Sequence, residues 1–520
     1  MRDVLGGRAS TRRSVAPVSA DQAGVGPNSG SATDDSSLLR EGSLPAAWVD
    51  RWRSDPDAVV LIDGMNNELT AGEMEALTAA RAAALFATGV GAGATVLLSC
   101  SASIDLVLTY AALMRLGATV LPANTGYTER ELEYIVEDAR PIAAIVDRPG
   151  HYVWLQRLGV ELVLGPSLDL PEAPMSAGAL PEIDPGAPAF IAYTSGTTGA
   201  PKGAVLTHAN LLAGAESVRR AWDWSPDDRL VLALPLFHMH GLGVGVNGTL
   251  LAGASAVVLD GFAADRVLDA VSQHRATMFF GVPTMYSRLA SSDRMRELAA
   301  LRLAVSGSAP LPASVWHRIA KGSGQHVLER YGMTETVMLA SNPLRGARRP
   351  GTVGLPLPGV EIRLGDGEGV EVRGPNVFSE YLGRPEATAA AFTPEGWFKT
   401  GDVGAVDADG YLRLVGRLSE LIISGGFNVY PREVEDVLRE HPLVREVAIV
   451  GTPDEEWGEI VTGYVVLEDA ASAYSSWSST LMAHCSERLA PYKLPRRWYR
   501  VSELPRNAMG KVVRSELSPP

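Results

Sequence analysis

Residues 189–203 read Ala-Phe-Ile-Ala-Tyr-Thr-Ser-Gly-Thr-Thr-Gly-Ala-Pro-Lys-Gly. The apolar run Ala189 to Ala192 opens directly into residues 193–203, which hold three glycines, four hydroxyl side chains of Ser or Thr and one lysine. That composition suits a loop wrapped around a polyphosphate. Glycines let the backbone turn tightly and bring N–H groups close to an anion, here Gly196, Gly199 and Gly203. The hydroxyls of Thr194, Ser195, Thr197 and Thr198 can donate to phosphate oxygens, and Lys202 adds a point charge. The loop is not of the Walker A type, because Gly196 is not followed at the required spacing by Gly-Lys-Ser/Thr. Taken alone it reads equally well as a flexible surface turn. Segments further along decide.

From about residue 45, short apolar strands alternate with helical patterns. Strands are expected at Thr95–Leu98, Ala143–Val146, Arg229–Ala233, Ala256–Leu259 and Leu301–Val305, and helices at Ala71–Ala87 and Glu129–Ala139. Such alternation implies an α/β fold with largely parallel sheets covered on both faces. The longest apolar stretch, Leu106 to Ala123, is broken by Arg115, Gly117 and Pro122. It reads as a buried helix, Leu106–Leu116, and a strand, Ala118–Leu121, rather than as a membrane span. Beyond residue 355 the texture changes to short strands at Val360–Arg363, Val370–Val372 and Tyr411–Val415. A compact segment follows, with a helix Pro431–Glu440, a strand Glu446–Val450 and a helix around Trp477–Arg488. The five serines of Glu468–Thr480 mark an exposed connection into that last helix.

The expected architecture is a large N-terminal domain, 45–416, of layered α/β subdomains plus a β-rich subdomain, then a small mobile α+β C-terminal domain, 417–520. Residues 1–44, rich in Ser, Gly, Ala and Arg, read as a disordered extension. Its basic start (Arg2, Arg8, Arg12, Arg13) raises a transit peptide, against which Asp3 counts, and no hydrophobic run marks a secretory signal. A chain of 520 residues carries two to four domains, and 46% hydrophobic with 20% charged residues is ordinary globular composition. A net charge of −14 and a pI near 5.2 argue against nucleic-acid or anionic-membrane partners. Two cysteines, Cys100 and Cys485, suit a reducing, cytoplasmic compartment.

Four further segments make the phosphate-loop reading specific. They are Glu329-Arg330-Tyr331-Gly332-Met333-Thr334-Glu335, Thr400-Gly401-Asp402, the run Gly416 to Pro431, and Pro505 to Lys511. With these on the page, the chain resembles the adenylate-forming superfamily of acyl-CoA synthetases, luciferases and peptide-synthetase adenylation domains. The resemblance spans roughly residues 45–515 in the family's order. Within the superfamily the chain looks most like malonyl-CoA synthetases, through Pro235–Gly241, Gly281–Thr284, Ser306–Pro310, Glu329–Thr336, Ser341–Pro343, Gly351–Gly354 and Gly374–Phe378.

The resemblance implies that a carboxylate attacks the α-phosphate of ATP, giving an acyl-adenylate and pyrophosphate, and that the CoA thiol then displaces AMP. It implies that Thr194 to Lys202 cradles the β- and γ-phosphates, that Glu335 holds Mg²⁺, and that Thr334 contacts the α-phosphate. Tyr331, next to Gly332, would pack on adenine, while Asp402, assisted by Arg417, would accept the ribose hydroxyls. Lys511 would bridge the carboxylate and α-phosphate oxygens in the adenylation transition state. His238 and His240 would line the acid pocket with Ser308 and Met333; no third ligand at metal spacing stands near them. Gly425 and Gly426 would lie along the pantetheine arm, where a Cβ would narrow the passage. A carrier-protein thiol on a separate chain is the alternative acceptor.

Arg330 points to a dicarboxylate, since a guanidinium offers a bidentate partner for a second carboxylate. Its alternative is a structural ion pair with Glu329 or another acid. A medium-chain or aryl acid is the alternative substrate. Two positions depart from the family pattern. Ser419 stands at the hinge, where relatives carry Asp or Lys. Thr336-Val337-Met338-Leu339-Ala340 replaces a stretch in which malonate-activating relatives carry asparagines, which makes the pocket less polar.

Overall fold

The computed structural model describes residues 14–15, 42–170, 180–194, 201–425, 427–454, 457–468, 475–507 and 511–519. Two large sheets carry most of the chain. The first has nine strands in the order Leu355–Pro356, Ala340–Ser341, Leu328–Tyr331, Leu303–Ser306, Met278–Gly281, Arg229–Leu232, Ser255–Val258, Val59–Ile62 and Glu68–Thr70. The six strands from Leu328–Tyr331 to Val59–Ile62 are parallel, and antiparallel strands close both ends. The second sheet, seven-stranded, runs Glu380–Tyr381, Lys202–Thr207, Pro188–Thr194, Thr119–Pro122, Thr95–Ser99, Ala143–Val146, Leu162–Leu164. Its core is also parallel.

A third, antiparallel sheet holds Glu361–Leu364, Gly369–Arg373, Phe398–Val406 and Leu412–Arg417. Ser14–Val15 pairs with its edge, so these two residues of the leading segment depart from the expected disordered extension. A separate sheet follows: Phe427–Val429, Ile422–Ser424, Gly458–Leu467 and Val444–Asp454, with Arg497–Arg500 beside Gly458–Leu467. It has its own core of Ile422, Val429, Val434, Leu438, Val447, Ile449, Val461, Val465, Leu481 and Cys485.

Local chemistry accounts for the elements. The helices Ala71–Ala87 and Glu129–Ala139 both open on capping boxes, Thr70 with Glu73 and Thr128 with Glu131, which satisfy the free N–H groups of the first turn. The apolar helix Ile104–Arg115 is buried from Leu106 onward because it packs between layers. Among the described residues no helix is long and apolar enough to cross a membrane.

In the nine-stranded sheet, Arg229–Leu232 lies between Met278–Gly281 and Ser255–Val258, so the chain order reverses there. In open parallel sheets a crevice forms at such a reversal, beyond the carboxyl ends of the strands. The segments after four of these strands, Pro235–Gly241, Val282–Thr284, Gly307–Pro310 and Gly332–Glu335, therefore start at that one edge.

Candidate active site

Strand Leu328–Tyr331 is buried along its whole length. Successive side chains in a strand point to opposite faces, so Glu329 and Arg330 cannot pair with each other. Glu329 instead accepts the backbone N–H groups of Leu311 at 3.2 Å and Gly351 at 2.8 Å, and burial pushes its carboxyl up to about 7. Arg330 is 7% exposed, and its Nε and Nη2 have no hydrogen-bond partner. Among the described residues no carboxylate lies within ion-pair distance of it. Burial alone lowers its pKa. A buried, unpaired guanidinium is costly until an anion reaches it. The Glu329 ion pair left open by the sequence is thus absent, for a reason the strand period supplies.

Gly307 is the seat of this guanidinium. A Cβ at position 307 would stand 2.2 Å from Arg330 Nε, so only glycine lets the arginine lie against the backbone. Ser308 follows in left-handed backbone at φ +69°. Its Oγ lies 3.4 Å from His240 Nδ1, and His240 donates its backbone N–H to His238 Nδ1 at 3.3 Å. Burial and then the Arg330 charge push both imidazoles down, His238 to about 4. They are neutral at physiological pH. His240 stacks on Phe280, and its Nε2 is buried without a partner. The structure therefore gathers Arg330, His238, His240 and Ser308, from three separate strand ends, into one cluster. Met333 lies close in sequence and packs half-buried on the main core.

The neighbouring cluster is acidic and aromatic. Thr334–Thr336 forms a single 3-10 turn, with Thr334 half-buried and Glu335 buried. Glu335 Oε1 accepts the Tyr381 hydroxyl at 3.0 Å, and its carbonyl accepts the Phe378 N–H at 2.7 Å. Burial raises its pKa. Gly332 is required where it stands, since a Cβ would meet the Val337 carbonyl oxygen at 2.5 Å. Tyr331 donates its hydroxyl to Asp402 Oδ2, and Arg417 Nε sits 2.7 Å from Asp402 Oδ1. Asp402 and Arg417 face each other across adjacent strands. Burial raises the Asp402 carboxyl, while Arg417, Tyr331 and Lys511 pull it back. Lys511 reaches solvent, yet lost hydration and then the like charge of Arg417 lower its pKa, opposed by Glu420 and Asp402. Lys511 thus lies within electrostatic reach of Asp402, although 109 positions separate them in sequence.

Thr194 and Lys202 face each other at the mouth of the hairpin Pro188–Thr194 and Lys202–Thr207. Ser195, Gly196, Thr197, Thr198 and Gly199 lie outside the described residues, as does Gly426. Gly425 takes left-handed backbone at φ +57°, and a Cβ there would meet the Trp457 ring at 2.7 Å. Ser419 is exposed in the one-turn segment Leu418–Glu420. Sequence reasoning missed Gly307 as a seat and Tyr381 altogether. Tyr381 stands three residues beyond the segment Gly374–Phe378, and an aromatic followed closely by Gly383 is its only local signal.

The model of the AMP-binding enzyme family matches residues 48–382, and that of the AMP-binding enzyme C-terminal domain matches residues 433–511. The chain belongs to the AMP-binding enzyme family. It is 37% identical over 474 residues to the bovine mitochondrial malonate–CoA ligase ACSF3, covering 81% of this chain and 80% of that protein. It is 35% identical to feruloyl-CoA synthase from Amycolatopsis sp. over 494 residues, covering 92% and 99%. The crystal structure of ATP-bound MatB from Rhodopseudomonas palustris superposes with a TM-score of 0.85 at 36% identity, covering 91% of this chain and 98% of that one. In this AMP-binding enzyme, Lys202, Arg330, Glu335 and Tyr381 fall inside the first match, Lys511 ends the second, and Asp402 and Arg417 lie between the two.

Proposed function

We propose that the chain is an ATP-dependent, AMP-forming acid–thiol ligase that adenylates malonate or a 2-substituted malonate and passes the acyl group to CoA. The observation that carries the substrate class is Arg330, a buried cation with no anion in contact. Neutral His238 and His240 beside it can donate or accept without competing for the charge. Relatives named for malonate support the reading. The apolar run Val337–Ala340 favours a branched malonate such as methylmalonate as co-substrate. The feruloyl-CoA synthase relative supports an aryl acid as the second reading.

In the first half-reaction the acid's carboxylate displaces pyrophosphate from the α-phosphorus of ATP. This needs positioning and charge stabilisation rather than a protein nucleophile. Lys202 and the loop before it would hold the β- and γ-phosphates, Thr334 the α-phosphate, and Asp402 with Arg417 the ribose. Lys511, within electrostatic reach of Asp402, would offset the charge gathering on the α-phosphate oxygens. Glu335 fits a magnesium ion: it is a buried carboxylate, and among the described residues it is in no ion pair and no cluster of three His, Cys, Asp or Glu could form an all-protein cage. Magnesium favours one or two carboxylates with substrate phosphates, and when bound it neutralises phosphate charge. In the second half-reaction the CoA thiol, or a carrier-protein thiol, attacks the acyl carbon and AMP leaves. Two free, buried cysteines accord with a cytoplasmic setting.

We place the domain boundary at Arg417, the last residue of the third sheet. The small domain would turn about Ser419 between half-reactions, bringing Gly425 and Gly426 to the thiol. Proline is tolerated early in a helical turn, so Ser419→Pro should keep the arrangement with Lys511 in electrostatic reach of Asp402. Pyrophosphate release on adenylation should stay measurable while thioester formation falls. Unchanged thioester turnover would remove Ser419 as the hinge. The reading as a whole is tested by pyrophosphate release across a panel of mono- and dicarboxylic acids, with and without CoA. Malonate or methylmalonate should lead the panel, and a monocarboxylate in first place overturns the substrate class.

A further inference from the structure

The strand Glu380–Tyr381 adds an edge to the seven-stranded sheet by pairing with Lys202–Thr207. Tyr381 sits opposite Ala204, two residues from Lys202. The Ser379 N–H donates to Val205 O at 3.0 Å and the Leu382 N–H to Gly203 O at 2.8 Å, which fixes this segment to the strand that Lys202 begins. The same segment grips the Glu335 turn. Phe378 donates to the Glu335 carbonyl, and Asn376 Nδ2 donates to Thr336 O and Met338 O at 2.7 Å each. Between these two attachments stands the Tyr381 side chain. Its ring centroid is 5.2 Å from Lys202 Nζ, and its hydroxyl reaches Glu335 Oε1 at 3.0 Å.

We propose that Tyr381 is a positioning residue that sets the spacing between Lys202 and Glu335, so one side chain fixes the cation and the anion that act on the triphosphate. The proposal rests on the nucleotide reading above. A phenol suits the task because it offers a π-face to an ammonium and an O–H to a carboxylate at the same time. Phenylalanine keeps the face and loses the donor; leucine loses both. Glu335 has particular need of the donor. Among the described residues no cation pairs with its buried carboxylate, so the Tyr381 hydroxyl, with the backbone N–H of Glu335 itself, holds its orientation before a ligand arrives. Lys202 in turn sits over a ring that is itself packed on Phe378 at 4.7 Å between centroids, a rigid support for a long flexible side chain.

The two contacts separate in a binding experiment without acid or CoA, where no chemistry occurs. ATP is titrated calorimetrically into the full chain at a series of Mg²⁺ concentrations, for wild type, Tyr381→Phe and Tyr381→Leu, with melting curves of the free proteins as a check on folding. Tyr381→Phe should bind ATP normally at saturating Mg²⁺ but need about 10-fold more Mg²⁺ to reach half of the gain, as expected for losing one hydrogen bond to a charged group. Tyr381→Leu should show the same Mg²⁺ shift and also lose roughly 3- to 10-fold of its Mg²⁺-free ATP affinity. An unchanged Mg²⁺ dependence in Tyr381→Phe overturns the proposal. So does an equal loss in both variants on both measures, which marks a merely structural tyrosine. If Tyr381→Leu does not fold, the phenylalanine variant decides alone. Wild type that binds no ATP overturns the nucleotide reading itself, a failure visible in the first titration and distinct from that of Tyr381.

Discussion

Arg330→Leu is expected to cut kcat/KM for malonate by about two to four orders of magnitude. The figure follows from removing one member of a buried charge pair, on the order of 3–5 kcal/mol, because the substrate's second carboxylate is then desolvated with no partner. The structure makes the expectation sharp. Among the described residues no acid pairs with Arg330, so its loss should not release a competing charge, and the fold should tolerate leucine. Monocarboxylates of similar length carry no second charge, and their rates should hold or improve. A steady-state comparison of the two acid classes settles it. Equal losses in both, or a wild-type preference for monocarboxylates, would make Arg330 a structural residue and the chain a general acyl-CoA synthetase.

Lys511→Ala is expected to slow adenylate formation by roughly 100-fold or more, the effect of one preorganised charge at a developing anion. Thioester formation from supplied acyl-adenylate should be affected far less. The Lys511 ammonium feels Arg417 and Arg514 against Glu420 and Asp402, a mixed field of both signs. Arg417 and Asp402 are the residues proposed above for the ribose, so the charge of Lys511 falls within reach of the proposed nucleotide site. Stopped-flow pyrophosphate release and a separate thiolysis assay measure the two steps. Equal losses in both would rule out a role confined to adenylation.

Elements with written-in ends were legible in the sequence. Ala71–Ala87 and Glu129–Ala139 fall on their expected bounds because Thr-x-x-Glu marks each start. Strand ends were less so: Leu301 is buried but stays outside its strand, and Arg302 turns away to bond Asp228, so Leu303–Ser306 begins later than the apolar run. The π-helical turn Met239–Val246 escaped notice because Gly-Leu-Gly-Val-Gly reads as a loop. Its glycines serve close packing, Gly243 on Met239 and Gly245 on Leu232. In the site, the motif residues were readable, but their pairings were not. An ion pair of Arg330 with Glu329 stood as the alternative reading until strand geometry separated the two. Tyr381 acts through contacts 46 and 179 positions away, with no periodic signature to announce them.

Gly307 and Arg330 form a single lock-and-wedge unit, and that constrains how this enzyme could be redirected. A smaller residue at position 330 fills less of the slot over the bare backbone of Gly307. A mutant library that varies only position 307 drives the guanidinium out, because its Nε lies 2.2 Å from where the first carbon would go. Retargeting towards apolar acids should therefore start from paired substitutions, a smaller residue at 330 joined to a larger one at 307. The same contact ties position 307 to the present acid class: while Arg330 is in place, any side chain at 307 meets its guanidinium first.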